Sequence, residues 1–319
     1  MSEGIEIGGI HIGGTLGLAP MAGFADMAFR SVCRDHGCTY TVTEMISAKA
    51  LCFSDKKTRE IACLAPGEHP CAVQIFGSEP EVMARGAEIA LEISGADILD
   101  INMGCPAGKI VSSGEGSALM KKPELASEII SAVKKAVSCP VTVKFRSGWD
   151  SSHINAVEFA QMAYRSGADG LCIHGRTSRQ LYTGSADPDI MGRVVASVPI
   201  PVIVNGDISD RAGAERLLRL TGAKFALVGR GALGNPWIFE SAPHSPTVSE
   251  RVGEYLRQTE LAVHQKGERR ALTESRAHIC RYLNGFRGAS SYRALAVTVS
   301  TLDDARALAE KILSETSGL

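Results

Sequence analysis

Residues 98–106 read Ile98-Leu99-Asp100-Ile101-Asn102-Met103-Gly104-Cys105-Pro106, a short apolar run that ends in polar residues and glycine. A run of this length fits a strand buried on both faces of a parallel sheet. The same unit recurs along the chain. Leu16–Met21, Tyr40–Met45, Ala72–Phe76, Val141–Arg146, Gly170–His174, Pro201–Asn205 and Phe225–Gly229 bring the number of such runs to eight. Helical periodicity fills most of the intervals. Glu81–Ile93 follows Ser78-Glu79-Pro80, and Pro123–Val137 opens on proline and carries Lys134-Lys135 near its end. Both arrangements suit the two ends of a helix dipole. Ile154–Ser166 and Asp210–Leu220 run into Gly167 and Gly222, which are the expected stops.

Eight strand–helix alternations before residue 240 predict an α/β fold, a (β/α)8 TIM barrel. The rival is an open, doubly wound dinucleotide-binding sheet. Gly229, Gly231 and Gly234 match its glycine fingerprint, but they follow the last strand, and no later strand completes a βαβ unit. The stretch Ser241-Ala242-Pro243-His244-Ser245-Pro246 reads as a linker. Beyond it, Val248–Leu319 alternates charged and apolar residues at helical spacing. The expected organisation is therefore a barrel over residues 1–243 and a small all-α domain over 244–319.

Composition narrows the function only a little. The 319 residues carry a formal net charge of −1, so a nucleic-acid partner would have to be met by a local basic patch. The nine cysteines are scattered, with no C-x-x-C pair and no histidine at zinc spacing. That pattern argues against a metal site and for a reducing compartment. Met1 to Thr15 is polar and Gly-rich and lacks the basic and apolar segments of a secretory leader. No apolar run reaches membrane-spanning length. The expectation is a soluble cytoplasmic protein with no obligate protein partner.

In a barrel of this kind the chemistry stands at the C-terminal ends of the strands. Those ends present Ala19-Pro20-Met21-Ala22-Gly23, Thr43-Glu44-Met45, Gln74 with Gly77, then Asp100, Asn102, Gly104 and Cys105. The later strands add Lys144 and Arg146, His174-Gly175-Arg176-Thr177, Asn205-Gly206-Asp207, and Gly229-Arg230-Gly231. The ring holds no facing pair of carboxylates, as glycoside hydrolysis wants, and no metal-ligand cluster. Gly-rich turns after strands seven and eight, with Arg230, suit a phosphate cradle; the alternative is that these glycines only tighten turns. Lys144 suits charge stabilisation on a reduced cofactor ring, with a core salt bridge or a Schiff-base nucleophile as the alternatives. His174 serves equally as a ligand contact or a backbone partner. Cys105 sits between Gly104 and Pro106 on a loop that reaches about to Lys121. A thiol of ordinary pKa, about 8.5, can donate a proton at neutral pH, and a thiolate can act as a nucleophile. Cys33, Cys63, Cys139 and Cys172 fall in apparent helix or strand segments and read as core packing.

These motifs, taken together, resemble the tRNA-dihydrouridine synthase family, nearest its bacterial B-type, nitrogen-regulation-like branch. The opening Ala19-Pro20-Met21-Ala22-Gly23 with Asp26 and Phe29-Arg30 carries the resemblance, as does Thr43 through Leu51. So do Asp100 through Pro106, His174 through Thr177, Asn205 through Ile208, and Gly229 through Trp237. In the tail the similar positions are Arg276, His278, Tyr282-Leu283, Gly285, Gly288 and Arg293. Two places depart from the family pattern. Ala107-Gly108-Lys109 lacks a second basic residue, and Asp187-Pro188-Asp189 has proline where the pattern has tryptophan.

The resemblance implies FMN as cofactor, NADPH as reductant and a uridine of tRNA as substrate. It implies that Pro20, Met21 and Ala22 line the flavin ring, that Gln74 and Lys144 bond its pyrimidine edge, and that His174 meets flavin or uracil. By the same resemblance Asn205, Gly206, Asp207, Gly229 and Arg230 cradle the ribityl phosphate. Cys105 then stands as proton donor to C5 of the base, and Asn102, Arg146 and Arg176 face the target uridine. Nine Lys/Arg against four Asp/Glu between Arg251 and Arg293 fit phosphate contact by the tail; a solvated helical face is the alternative. The competing functions are a flavin barrel that reduces a small metabolite and a tRNA-binding chaperone with a vestigial flavin site.

Overall fold

The structure, a computed structural model, describes residues 4–53 and 55–316. Its strands are β1 (Gly4–Ile7), β2 (Ile10–Gly13), β3 (Leu16–Leu18), β4 (Thr41–Val42), β5 (Ile46–Ser47), β6 (Cys71–Phe76), β7 (Ile98–Met103), β8 (Val141–Arg146), β9 (Gly170–His174), β10 (Val202–Asn205) and β11 (Ala226–Val228). The helices are α1 (Met27–Asp35), α2 (Ala48–Cys52), α3 (Lys56–Ala62), α4 (Pro80–Ser94), α5 (Gly108–Ser112), α6 (Pro123–Ala136), α7 (Ala156–Arg165), α8 (Pro188–Ser197), α9 (Arg211–Thr221), α10 (Val248–Lys266), α11 (Glu268–Tyr282), α12 (Ala289–Ala296) and α13 (Leu302–Thr316).

The parallel ladder runs β3-β4-β6-β7-β8-β9-β10-β11 and returns to β3, so the barrel closes. The eight strand positions are those read from the sequence. The second is split: β4 and β5 both pair with β6, and Thr43–Met45 leaves the ladder between them. Helix ends follow local chemistry. Pro80 opens α4 and Gly95 closes it in the left-handed conformation at φ 62°. Asp210 caps α9 through the Gly213 N–H, and Gly222 closes it at φ 71°. Both stops use the backbone freedom that only glycine has without strain.

One element is absent from the sequence reading. The Gly-rich start forms an antiparallel hairpin, β1 with β2, whose alternation buries Ile5, Ile7 and Ile12. These pack with Tyr40, Ala72, Ile98, Cys172, Ile203, Phe225 and Leu227, which stop the N-terminal end of the barrel with an apolar plug. The period-2 signal is present, but five glycines in the first fourteen residues dilute it. The cysteine reading also needs correction. Cys33 and Cys172 are buried as expected, whereas Cys63 and Cys139 are half-exposed because each lies just outside an element.

The chain divides into two compact units, Met1–Ala25 with Thr39–Gly229, and Asp26–Cys38 with Arg230–Leu319. The first is the barrel. In the second, α1 contributes Ala28 to a core with Trp237, Val252, Tyr255, Leu272, Ile279, Tyr282, Leu308 and Ile312. Asp26 caps α1 through the Phe29 N–H and accepts a bond from Lys266 Nζ at 2.5 Å. Although burial opposes ionisation of Asp26, the Lys266 charge holds its carboxyl below the usual value. Thr247 and Glu250 form a reciprocal capping box at the start of α10, just after the expected linker. Among the described residues no helix is long and apolar enough to cross a membrane.

Candidate active site

Strand register stacks the polar residues of the barrel in tiers. Gln74, Asp100 and Thr142 are neighbours across β6, β7 and β8; Asn102 and Lys144 form the next tier; Arg146, His174 and Asn205 form another. Residues two apart on a strand share a face, so these side chains converge inside the barrel mouth.

Asp100 anchors the lowest tier. Its carboxylate accepts from Thr142 Oγ1 and, at 2.6 Å, from Gln74 Nε2. Burial pushes this carboxyl up to about 6, against those two bonds and the Lys144 charge. A carboxylate only accepts, so it fixes which end of the Gln74 amide faces it. Gln74 Oε1 is left to accept from Asn102 Nδ2 at 2.8 Å. Asn102 Oδ1 in turn accepts the N–H groups of Gly104 and Cys105 at 3.1 and 2.9 Å. Orientation is thus passed from a buried acid to the backbone of the cysteine loop.

The far side of that loop is tied as well. The Cys105 carbonyl accepts the Ser117 N–H at 3.0 Å. Gly116 stands at φ 57°, and a Cβ there would come within 2.7 Å of the Cys105 oxygen, so only glycine fits. Cys105 itself is half-buried. Arg146 donates through Nε to the Gly104 carbonyl at 2.9 Å and through Nη1 to Thr177 and Leu181 carbonyls at 2.7 and 3.0 Å. Burial lowers its guanidinium to about 10, still a cation at neutral pH. Lys144 is half-buried, and its Nζ donates to Asn205 Oδ1 at 3.3 Å. Among the described residues neither Lys144 nor Arg146 forms an ion pair. Two cations facing neutral oxygens at the mouth suit an anionic or electron-rich occupant.

The other expected contacts are distributed differently. Arg176 is 2% exposed, donates to the Thr183 and Gly184 carbonyls at 3.1 and 2.7 Å, and pairs with Asp207 at 2.7 Å. That guanidinium braces the loop after β9 instead of pointing at open space. His174 Nε2 lies 3.5 Å from Arg176 Nη1. Asn205 Nδ2 donates to the Leu227 carbonyl at 2.8 Å. Gly206 has φ 145°, and a Cβ there would reach 2.5 Å from the Ala186 Cβ. Asp207 is left-handed at φ 49°. This turn presents backbone, with the Asp207 carboxylate drawn away by Arg176 and the Ala186 N–H. Gly229 ends the barrel unit near Met21 Sδ, and Arg230 opens the short turn Arg230–Ala232 of the second unit.

Pro20 and Met21 are half-exposed and Ala22 is exposed, in a turn closed by Phe24 and Ala25 N–H bonds to the Met21 carbonyl. Gly23 donates its N–H to the Glu44 carboxylate. Thr43, Glu44 and Ser117 thus organise the mouth, although the sequence reading gave them no role. The splitting of the second strand at Thr43–Met45 is what places the first two, and no periodicity signals it.

Comparison with known proteins agrees with this geometry. The profile of the family described as dihydrouridine synthase (Dus) matches residues 17–317. A probable tRNA-dihydrouridine synthase of Rickettsia conorii is 37% identical over 318 residues, which cover 97% of this chain and 95% of that protein. The tRNA-dihydrouridine synthase B of Proteus vulgaris is 44% identical over 240 residues, 75% of this chain and 74% of that one. Among solved structures, histamine dehydrogenase from Rhizobium sp. 4-9 superposes with a TM-score of 0.60 at 12% identity, over 86% of this chain and 50% of that one, a likeness of fold. With a closed parallel barrel, a braced cysteine loop and a family match along nearly its whole length, the chain belongs to the dihydrouridine synthase family.

Proposed function

We propose that this protein is a tRNA-dihydrouridine synthase that reduces the C5–C6 bond of uridine in tRNA, with FMN as cofactor, NADPH as reductant and Cys105 as proton donor. The observation that carries the reading is the Cys105 backbone, tied through its N–H to Asn102 and through its carbonyl to Ser117, in a mouth that also holds Lys144 and Arg146, two cations without an ion-pair partner among the described residues. The Gly206–Asp207 turn, where a side chain at 206 would collide, fits the close approach of a phosphate. Together with the half-buried Lys144, it makes the donor set of the mouth suited to a phosphorylated flavin.

When bound, the reduced flavin supplies hydride to C6 of the base. The chain's own residues do the rest. Cys105 gives a proton to C5, and its loop is held still by Asn102. Lys144 offsets negative charge near the ring. Arg146 sets the height of the cysteine loop through the Gly104 carbonyl. Pro20, Met21 and Ala22 supply one wall, and Gly229 extends the phosphate end. Gln74 is fully buried with both amide ends engaged, so it serves by orienting Asn102.

On this reading, residues 244–319 form the tRNA-gripping domain. Of the tail's basic residues, Arg269, Arg281 and Arg287 are exposed and make no ion pair among the described residues, which leaves them available to phosphates. A cytoplasmic location follows from the substrate. Purified protein supplied with FMN should bind it stoichiometrically and lose the flavin absorbance on anaerobic addition of NADPH. A colourless protein after reconstitution contradicts the proposal.

A further inference from the structure

Three loops at the C-terminal end of the barrel bring two cations onto one indole. Trp149 follows β8, Lys121 ends the short turn Gly116–Lys121 that follows β7, and Arg179 lies in the loop after β9. Lys121 Nζ stands 4.0 Å from the centroid of the Trp149 ring, and Arg179 Cζ stands 5.0 Å from it. Both cations are exposed, and the indole is half-buried. Among the described residues neither Lys121 nor Arg179 forms an ion pair or a side-chain hydrogen bond. The neighbouring carboxylate, Asp150, is engaged by the Ser152 N–H at 3.0 Å and His153 Nδ1 at 2.7 Å.

A ring face attracts each cation, but two like charges on one ring repel each other, and an anion between them relieves that repulsion. The backbone beneath is fixed. Trp149 donates to the His153 carbonyl at 3.0 Å, and Arg179 donates its N–H to the Trp149 carbonyl at 2.9 Å. The group is also coupled to the cysteine loop. Ser117, in the same turn as Lys121, gives its N–H to the Cys105 carbonyl, and its hydroxyl lies 2.6 Å from that of Ser178, the neighbour of Arg179.

We propose that Lys121, Trp149 and Arg179 form a docking point for an RNA phosphodiester beside the nucleotide whose base reaches Cys105. The inference rests on the reading of the chain as a tRNA-dihydrouridine synthase. Preplaced cations lose less freedom on binding than free side chains do, and a Lys–Arg pair with no ion-pair partner among the described residues matches a backbone phosphate. The extra phosphate of NADPH has similar chemistry. The exposed rim position favours the polymer, which must cross the rim to deliver a base into the mouth.

The test compares the full-length protein with a Lys121→Gln/Arg179→Gln double variant, using dye-labelled tRNA anisotropy across a salt series and steady-state dihydrouridine formation. The expected result is a slope of log affinity against log salt smaller by about 1 to 2, with a KM for tRNA raised about tenfold. The kcat and the KM for NADPH should stay at wild-type values. An unchanged salt slope and tRNA KM overturn the proposal. A raised NADPH KM with unchanged tRNA binding also overturns it, by assigning the cations to the reductant. Failure of the functional reading looks different, because the wild-type protein itself then neither binds tRNA nor forms dihydrouridine.

Discussion

The side-chain oxygen of Asn102 accepts the backbone N–H groups of both Gly104 and Cys105. The thiol's position is therefore set by a strand residue three positions earlier, whose other end is held by Gln74. Asn102 belongs to the mouth less as a contact to the base than as the hinge pin of the cysteine loop.

Replacing Asn102 with alanine should leave flavin binding intact and slow dihydrouridine formation about 10- to 100-fold, because the acid is no longer held within reach. Single-turnover oxidation of the reduced protein by tRNA checks this. Wild-type turnover in the variant would show that the tether is dispensable.

Asp100 predicts a pH effect on stability. Burial raises its folded pKa to about 6, above the ordinary value of 3.8. Between those values the folded state binds more protons than the unfolded chain, so this group's contribution to stability falls as pH rises through that window. A shift of that size corresponds to about 3 kcal/mol. Asp100→Asn keeps an oxygen for Gln74 and turns its amide toward the Thr142 hydroxyl. Urea unfolding from about pH 4 to pH 7 should show the variant gaining on wild type by up to about 3 kcal/mol. A constant difference across that range would mean that Asp100 titrates normally.

Much of this was legible in the chain. Each barrel strand announces itself as a short apolar run, because both faces of a parallel strand are buried, and Cys105 stands out by its place between Gly104 and Pro106. Residues such as Glu44 and Ser117 were not legible. Their roles depend on a break in the second strand and on the return of a long loop, neither of which leaves a periodic trace. Arg176 was expected to face the target uridine because the family resemblance implies it. Its commitment to Asp207 is a long-range pairing that sequence spacing does not reveal.

Lys144→Ala should weaken flavin retention or slow its reduction, since it removes a half-buried cation that donates to the Asn205 amide oxygen and forms no ion pair among the described residues. Flavin content after gel filtration and stopped-flow bleaching by NADPH measure both. A stoichiometric, normally reduced flavin in the variant would remove Lys144 from this role.

The most direct measurement is mass mapping of an unmodified tRNA transcript after incubation with the flavin-loaded protein and NADPH, run in parallel with Cys105→Ala. The expected result is a discrete uridine that gains two hydrogens with wild type. In the variant that product should fall by about 100-fold or more while NADPH still bleaches the flavin. A fully reduced wild-type protein that leaves every uridine unchanged would contradict the assignment.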